Sequence, residues 1–286
     1  MARTRVLPVT VYSPDSSLAH PRTMLRAMFR DLAVGRELAM RLAVRDLSAQ
    51  YRQAFLGFLW AIVVPLANAI VWLFLSGTGV VKLSTTPLPY TVYVFTGTML
   101  WAVFMDAVNA PLQGATAARP MLAKVNFPRE AIVVSGVYQT LFNATIKVFL
   151  VLLVGIWFGV APSWGGLLIP IGALSLVMVG TSIGVLVTPI GLLYQDVGRG
   201  LPILLQFLMY STPVVFAMPE EGLAATVFRF NPLTPVIETT RAWLTGQSPE
   251  MLSAFVVVNS VVALFLLLVW LVYRLAMPIL IERMGA

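Results

Sequence analysis

The chain has 286 residues, of which 59% are hydrophobic and only 11% charged, with a formal net charge of +7. Soluble domains carry roughly 25% charged residues, so the composition excludes an ordinary soluble globule and points to an integral membrane protein. With no cysteine and one histidine, His20, the chain also lacks disulfides, thiolate chemistry and the central residue of His-based triads, metal sites and general-base schemes.

Residues 1–24, "MARTRVLPVTVYSPDSSLAHPRTM", interrupt every apolar run with Arg, Pro, Ser or Asp. They contain no secretory h-region and read as a flexible cytoplasmic tail. From 25 to 53 the pattern turns helical, with Leu25, Phe29, Leu32, Ala39 and Leu42 on one side and Arg26, Arg30, Glu37, Arg41 and Arg45 on the other. An amphipathic helix in the plane of the inner leaflet is expected, either as a simple anchor or as part of a pathway. Residues 54–273 hold the apolar stretches Ala54–Val81, Leu83–Met105, Ala131–Gln195 (interrupted at Lys147), Leu201–Pro219 and Met251–Tyr273. A span needs about 20 residues, so the third stretch is long enough for two, with a break at "GVAPSWGG", residues 159–166. Six spans are expected, followed by a cytoplasmic tail over 274–286.

Orientation follows from the basic residues. Fifteen of the 19 fall before span one, in alternate loops or after span six, against Lys82, Arg229 and Arg241 in the opposite set. The positive-inside bias places both termini in the cytoplasm. A basic rim beside membrane spans suits anionic lipid or an acidic partner and argues against nucleic acid.

Two loops and one pair of charges stand out. Residues 112–127 form a proline-bounded loop on the basic side, with room for a short helix. Residues 219–250 contain two apolar helical fragments of about ten residues, too short to cross, broken by "NPLTP". A re-entrant hairpin in the outer leaflet is expected, lining a pathway mouth or merely sitting at the interface. Asp106 and Lys147 are the charges within the spans. Counted from the ends of their stretches, their depths differ by roughly 20 Å, so no direct pair is expected, and Lys147 faces a cavity or another helix. Among the aromatics, Phe55, Phe58 and Trp60 cluster at the basic entrance of span one, where a sugar ring could stack. With Tyr210 they are the pathway candidates, while most of the aromatics near the spans, a list that includes Trp72, Tyr90, Tyr93 and Trp101, read as interfacial anchors. No G-x-x-x-x-G-K-[ST] occurs, so the chain is not expected to hold ATP phosphates, and no cofactor or metal is expected on it.

Three segments carry a family resemblance. "RDLSAQYRQAFLGFLWAIVVPL" (45–66) resembles the start of span one in membrane subunits of ABC-2 type polysaccharide exporters, keeping Arg45, Asp46, Tyr51, Arg52, Leu56, Gly57, Trp60, Pro65 and Leu66. It departs at Ala54, where Ser or Thr is usual. "YQDVGRGLPILLQFLMYSTPVVF" (194–216) is similar to a second family stretch, with Gln195 where Arg is usual, and "NPLTPVIETTRAWLTG" (231–246) is similar to a third. The resemblance implies an all-α ABC-2 permease of the bacterial inner membrane. Two copies would pair with two separate nucleotide-binding ATPase subunits, which hold ATP and Mg, to move an undecaprenyl-linked O-antigen, capsule or teichoic-acid glycan outward. It implies ATPase coupling through 112–127 (Arg119, Lys124, Asn126, Phe127) and through Asp196 and Arg199. An outer gate would form at Pro219, Asn231, Pro232, Glu238 and Arg241. The glycan's pyrophosphate would meet Arg45 and Arg52, whose guanidinium forks suit phosphate oxygens; pairing with lipid phosphates or the ATPase stays equally open. An ABC-2 drug or lipid exporter, a membrane-embedded transferase and a secondary transporter are the alternatives. The transferase would require convergent His, Asp or Glu at one depth, which the spans lack.

Overall fold

A computed structural model describes residues 21–52, ten positions between 59 and 78, 88–122, 127–160, 163–219 and 221–285. Among these residues every regular element is helical. In chain order they are α1 (Pro21–Arg52), α2 (Tyr90–Ala117), the single turn α3 (Arg119–Leu122), α4 (Glu130–Trp157), α5 (Ile169–Leu193) entered through a 3-10 turn at Trp164–Leu168, α6 (Gln195–Tyr210), α7 (Gly222–Phe230), α8 (Leu233–Thr245) and α9 (Leu252–Gly285).

Four of these segments, Tyr90–Ala117, Glu130–Trp157, Trp164–Leu193 and Leu252–Glu282, are long and apolar enough to cross a membrane. The third apolar stretch divides where Gly and Pro predict it. Gly159 takes φ 81°, a left-handed conformation that favours glycine, and ends the α4 segment. The fourth stretch differs from expectation. Its helix stops at Tyr210 after 16 residues, about 24 Å, and the chain continues irregularly over 211–219. The first stretch lies mostly outside the described residues; its described positions from Leu59 to Phe74 are helical and exposed.

Two other boundaries move. α2 does not stop near Met105 but runs through Pro111 to Ala117, so the first six residues of the expected 112–127 loop are helix. Proline within a helix is tolerated in membrane segments because neighbouring groups satisfy the freed carbonyls. α9 likewise passes without a break from the apolar stretch into 274–285, where a tail was expected.

The helices pack in the order α1, α4, α2, α5, α9, with α8 set against α5, α9 and α2 at one end. Small residues permit the close crossings. A Cβ on Gly180 of α5 would stand 2.6 Å from Ala107 Cβ and 2.8 Å from the Phe104 carbonyl of α2. Without a hydrophobic drive between helices in lipid, such backbone approach is the main source of contact energy. The outward faces of α6 and α9 carry Ile203, Leu204, Phe207, Val257, Leu264 and Leu268, all exposed, as lipid or another apolar surface requires. α1 differs from a helix lying only on lipid. Met24, Met28, Ala39, Leu42 and Ala43 are buried, and the helix rests on α4, while Phe29 meets Trp270 of α9 edge-on at 5.6 Å. Its arginines 26, 30, 36, 41 and 45 remain exposed.

Candidate functional site

Polar chemistry gathers at three levels of the bundle. At the basic end, Arg274 of α9 donates from Nη1 to Glu130 Oε1 at 2.7 Å and from Nη2 to Asp31 Oδ2 at 2.6 Å. One guanidinium thus joins α1, the first residue of α4 and the far end of α9. Beneath it a second core forms from Ala115, Leu122, Ile132, Leu192, Tyr273 and Met277, with Phe127 packed against it. Arg119 donates from Nη2 to the Leu192 carbonyl at 2.9 Å, capping the last turn of α5 where a cation is favoured. That bond holds the start of the 118–129 connection beside the α5–α6 junction, where Asp196 and Arg199 are exposed and 4.0 Å apart. Lys124 and Asn126 lie outside the described residues.

Arg45 is exposed on α1 and bound to its neighbour, with Nη2 2.7 Å from Asp46 Oδ1. Asp46 Oδ2 in turn accepts from Gln139 Nε2 of α4 at 3.3 Å. Arg52 ends the same helix, and its side chain, like Phe55 and Phe58, falls outside the described residues. Trp60 is exposed, and Tyr210 is half-exposed on α6 with Gln206 Nε2 3.4 Å from its hydroxyl.

In mid-bundle the sequence expectation fails outright. Lys147 Nζ sits 2.5 Å from Asp106 Oδ2, a direct ion pair between α4 and α2. The depth count missed it because α2 extends to Ala117. Asp106 is therefore eleven residues, about 16 Å, from the basic end of its helix, against seventeen, about 25 Å, for Lys147. The lysine and aspartate side chains together span the remaining offset. Lys147 is 5% exposed, and a cation buried that deeply needs a partner. The pair was findable. One cation and one acid stand alone in the spans, and lipid drives each towards the other. Asp106 also lines a polar cleft of about 280 Å³ between α1, α2 and α4, together with Asp46, Gln50, Asn109, Gln113, Gln139, Thr140 and Asn143.

At the opposite end Arg241 of α8, only 2% exposed, organises the irregular segment after α6. Its guanidinium lies 3.6 Å over the Tyr93 ring of α2. Nη1 donates to Glu238 Oε1 at 2.7 Å, and Nη2 donates to the carbonyls of Pro213 at 2.9 Å and Val214 at 3.3 Å. The Tyr93 hydroxyl donates towards the Phe216 carbonyl at 3.2 Å. Tyr93 is thus a buried platform for a cation, and its reading as an interfacial anchor is corrected. Burial of both partners strengthens such a contact. Asn231, between α7 and α8, donates from Nδ2 to the Ser211 carbonyl at 2.9 Å and to Thr212 Oγ1 at 2.7 Å. Its Oδ1 accepts from the Leu233 amide at 2.9 Å and starts α8. Glycine is required where α2 passes: a Cβ on Gly97 would collide with the Val214 carbonyl and stand 2.7 Å from Arg241 Nη2. Asn231 and Arg241 therefore converge on residues 211–216, and Glu238 holds the Arg241 guanidinium in place. Pro219 and Pro232 border the segment without joining its hydrogen bonds.

Comparison with known proteins gives the same direction. No family model matches the chain. It is 26% identical over 218 residues to the O-antigen export system permease protein RfbA of Myxococcus xanthus, covering 75% of this chain and 83% of that one. An RfbA permease of Klebsiella pneumoniae is 28% identical over 215 residues, 72% and 79% of the two chains. The polysialic acid transport protein KpsM of Escherichia coli is 23% identical over 212 residues, 70% and 78%. The resemblance to ABC-2 polysaccharide-export permeases, carried by three motifs, thus extends over about three quarters of the chain.

Proposed function

We propose that this chain is the membrane half of an ATP-driven exporter that moves an undecaprenyl-linked polysaccharide outward across the bacterial inner membrane. The observation that carries the reading is the similarity to O-antigen export permeases over most of both chains. The basic end is taken as cytoplasmic, which the distribution of arginines supports. Six spans then follow if residues 54–81 and the α6–219 segment each cross, and α7–α8 is a re-entrant hairpin. The burial of α8 against α5 and α2 supports the hairpin, since short helices at membrane depth need a protein wall. Two copies flank a glycan pathway, and two separate ATPase subunits dock at 112–127 and beside Asp196 and Arg199. Arg45 and Arg52 meet the pyrophosphate. The Arg241 node holds residues 211–216 as the outer gate. The chain itself carries out no hydrolysis and binds no cofactor; ATP and Mg belong to the partner.

The chemistry favours a transport role over a membrane transferase, because the mid-bundle acid Asp106 is already neutralised by Lys147. The test is reconstitution in vesicles with a co-purifying nucleotide-binding ATPase subunit, following ATP-dependent transfer of a lipid-linked glycan to the far leaflet. Transfer is expected only with both subunits and ATP. Full transfer by this chain alone, or ATPase stimulation by small hydrophobic drugs in place of lipid-linked glycan, would overturn the reading.

A further inference from the structure

The cleft between α1, α2 and α4 has a composition that selects one class of ligand. Its two carboxylates are each already paired, Asp46 with Arg45 at 2.7 Å and Asp106 with Lys147 at 2.5 Å. The floor therefore carries acceptor oxygens without net charge. A free cation finds no uncompensated acid there, and a phosphate would face two carboxylates. Around them stand amides from three helices, among them Gln50, Asn109, Gln113 and Gln139. Gln50 and Gln113 each offer both a donor and an acceptor, the pattern that hydroxyl groups use, while Gln139 donates to Asp46 and Ser135 and Asn109 donates to the Met105 carbonyl, leaving their carbonyl oxygens to accept. Asp106 Oδ2 is bound to Lys147, which leaves Oδ1 to accept from a ligand. The volume of about 280 Å³ lies just under the ~300–1,000 Å³ of drug-sized pockets and suits a single sugar ring. So many polar side chains facing one space beside membrane-spanning helices is costly unless that space holds water or a polar ligand.

We propose that this cleft is a subsite for one neutral sugar residue at the inner entrance of the pathway. It deepens the exporter reading and rests on it for its role in transport. Because Asp46 lines the cleft and Arg45 precedes it, a phosphate held by Arg45 places the first sugar of a glycolipid over the cleft. The arginine reads the charge and the amides read the adjoining ring.

The proposal is tested on the full chain in lipid nanodiscs by saturation-transfer NMR with the methyl glycosides of glucose, galactose and mannose at millimolar concentration. At least one glycoside is expected to show transfer that weakens tenfold or more in the Gln50→Leu, Gln113→Leu double variant. Both side chains are exposed, so the variant is expected to keep the wild-type melting temperature, which is measured alongside. Asn109→Leu gives a second, independent loss. Absence of transfer from all three glycosides, or equal transfer to the variants, overturns the subsite. The two readings separate cleanly. ATP-driven glycan transfer without glycoside binding removes the subsite and leaves the exporter. Cleft-dependent glycoside binding with no ATP-driven transfer removes the exporter and leaves a sugar site.

Discussion

Arg241 shows how one side chain fixes a stretch of backbone that has no secondary structure. The irregular segment over 211–216 exposes carbonyls that helix or sheet would satisfy, and Arg241 takes two of them while Tyr93 and Asn231 take two more. Arg241→Ala would leave the Val214 carbonyl without its donor, and Glu238 and the Pro213 carbonyl with only the longer bonds from the Tyr93 hydroxyl. Removing one partner of a buried pair costs about 3–5 kcal/mol, so a loss of roughly 3 kcal/mol is expected in thermal unfolding of the purified protein. Glu238→Gln should cost less than half as much, because the guanidinium keeps the ring and both carbonyls. Gly97→Ala is a sharper probe of the same place. Its methyl group collides with the Val214 carbonyl, so it should free the segment even though Ala favours helix, detectable as faster hydrogen exchange over 211–216. The sequence marks Arg241, Glu238 and Asn231 through their motif, but Tyr93 stays hidden because a tyrosine near a span end has a bland default role.

At the scale of elements, the bundle is held by backbone approach rather than by large side chains. Gly180 and Gly184 face α2, whereas nothing stands within 4 Å of a Cβ placed on Gly200 in α6. Gly180→Val is therefore expected to cut the yield of monodisperse protein severely, and Gly200→Val to leave it near wild type, as size-exclusion profiles in detergent would report. Among the described residues, apolar stretches with Gly–Pro breaks specify α4, α5, α7 and α8 to within a few residues, so the existence of these helices was legible. Helix ends were not. Pro111 reads as a stop in sequence, yet α2 continues past it because α5 packs alongside, with Pro111 2.9 Å from a Cβ on Gly184. That shift of about two turns also concealed the Asp106–Lys147 pair, since depth was measured from the wrong helix end. Tertiary packing decides such boundaries, and periodicity alone does not contain it.

Across the whole molecule, the most distant parts of the chain meet at Arg274. Asp31 and Glu130 are separated by about a hundred residues, and Arg274 lies 144 residues beyond Glu130, yet all three form one node at the basic end. No motif marks it, because each residue is an ordinary charge near a helix end and only the fold brings them together. Its position matters for how a push at this surface would spread: Glu130 opens α4 directly after the 118–129 connection, Asp31 sits in α1, and Arg274 is carried by α9. Arg274→Gln leaves two carboxylates facing each other with Glu130 buried, so it should destabilise by more than Asp31→Asn, which keeps the Arg274–Glu130 bond. The double variant should then fall short of additivity by about 1–3 kcal/mol, as contacting residues do. If the node also transmits motion, the Arg274→Gln complex with its ATPase should hydrolyse ATP near the wild-type rate while moving several-fold less glycan per ATP. A proportional fall in both rates would mean that the arginine serves stability alone, since loss of folded complex lowers hydrolysis and transfer together, whereas a loosened joint between α1, α4 and α9 lowers only transfer.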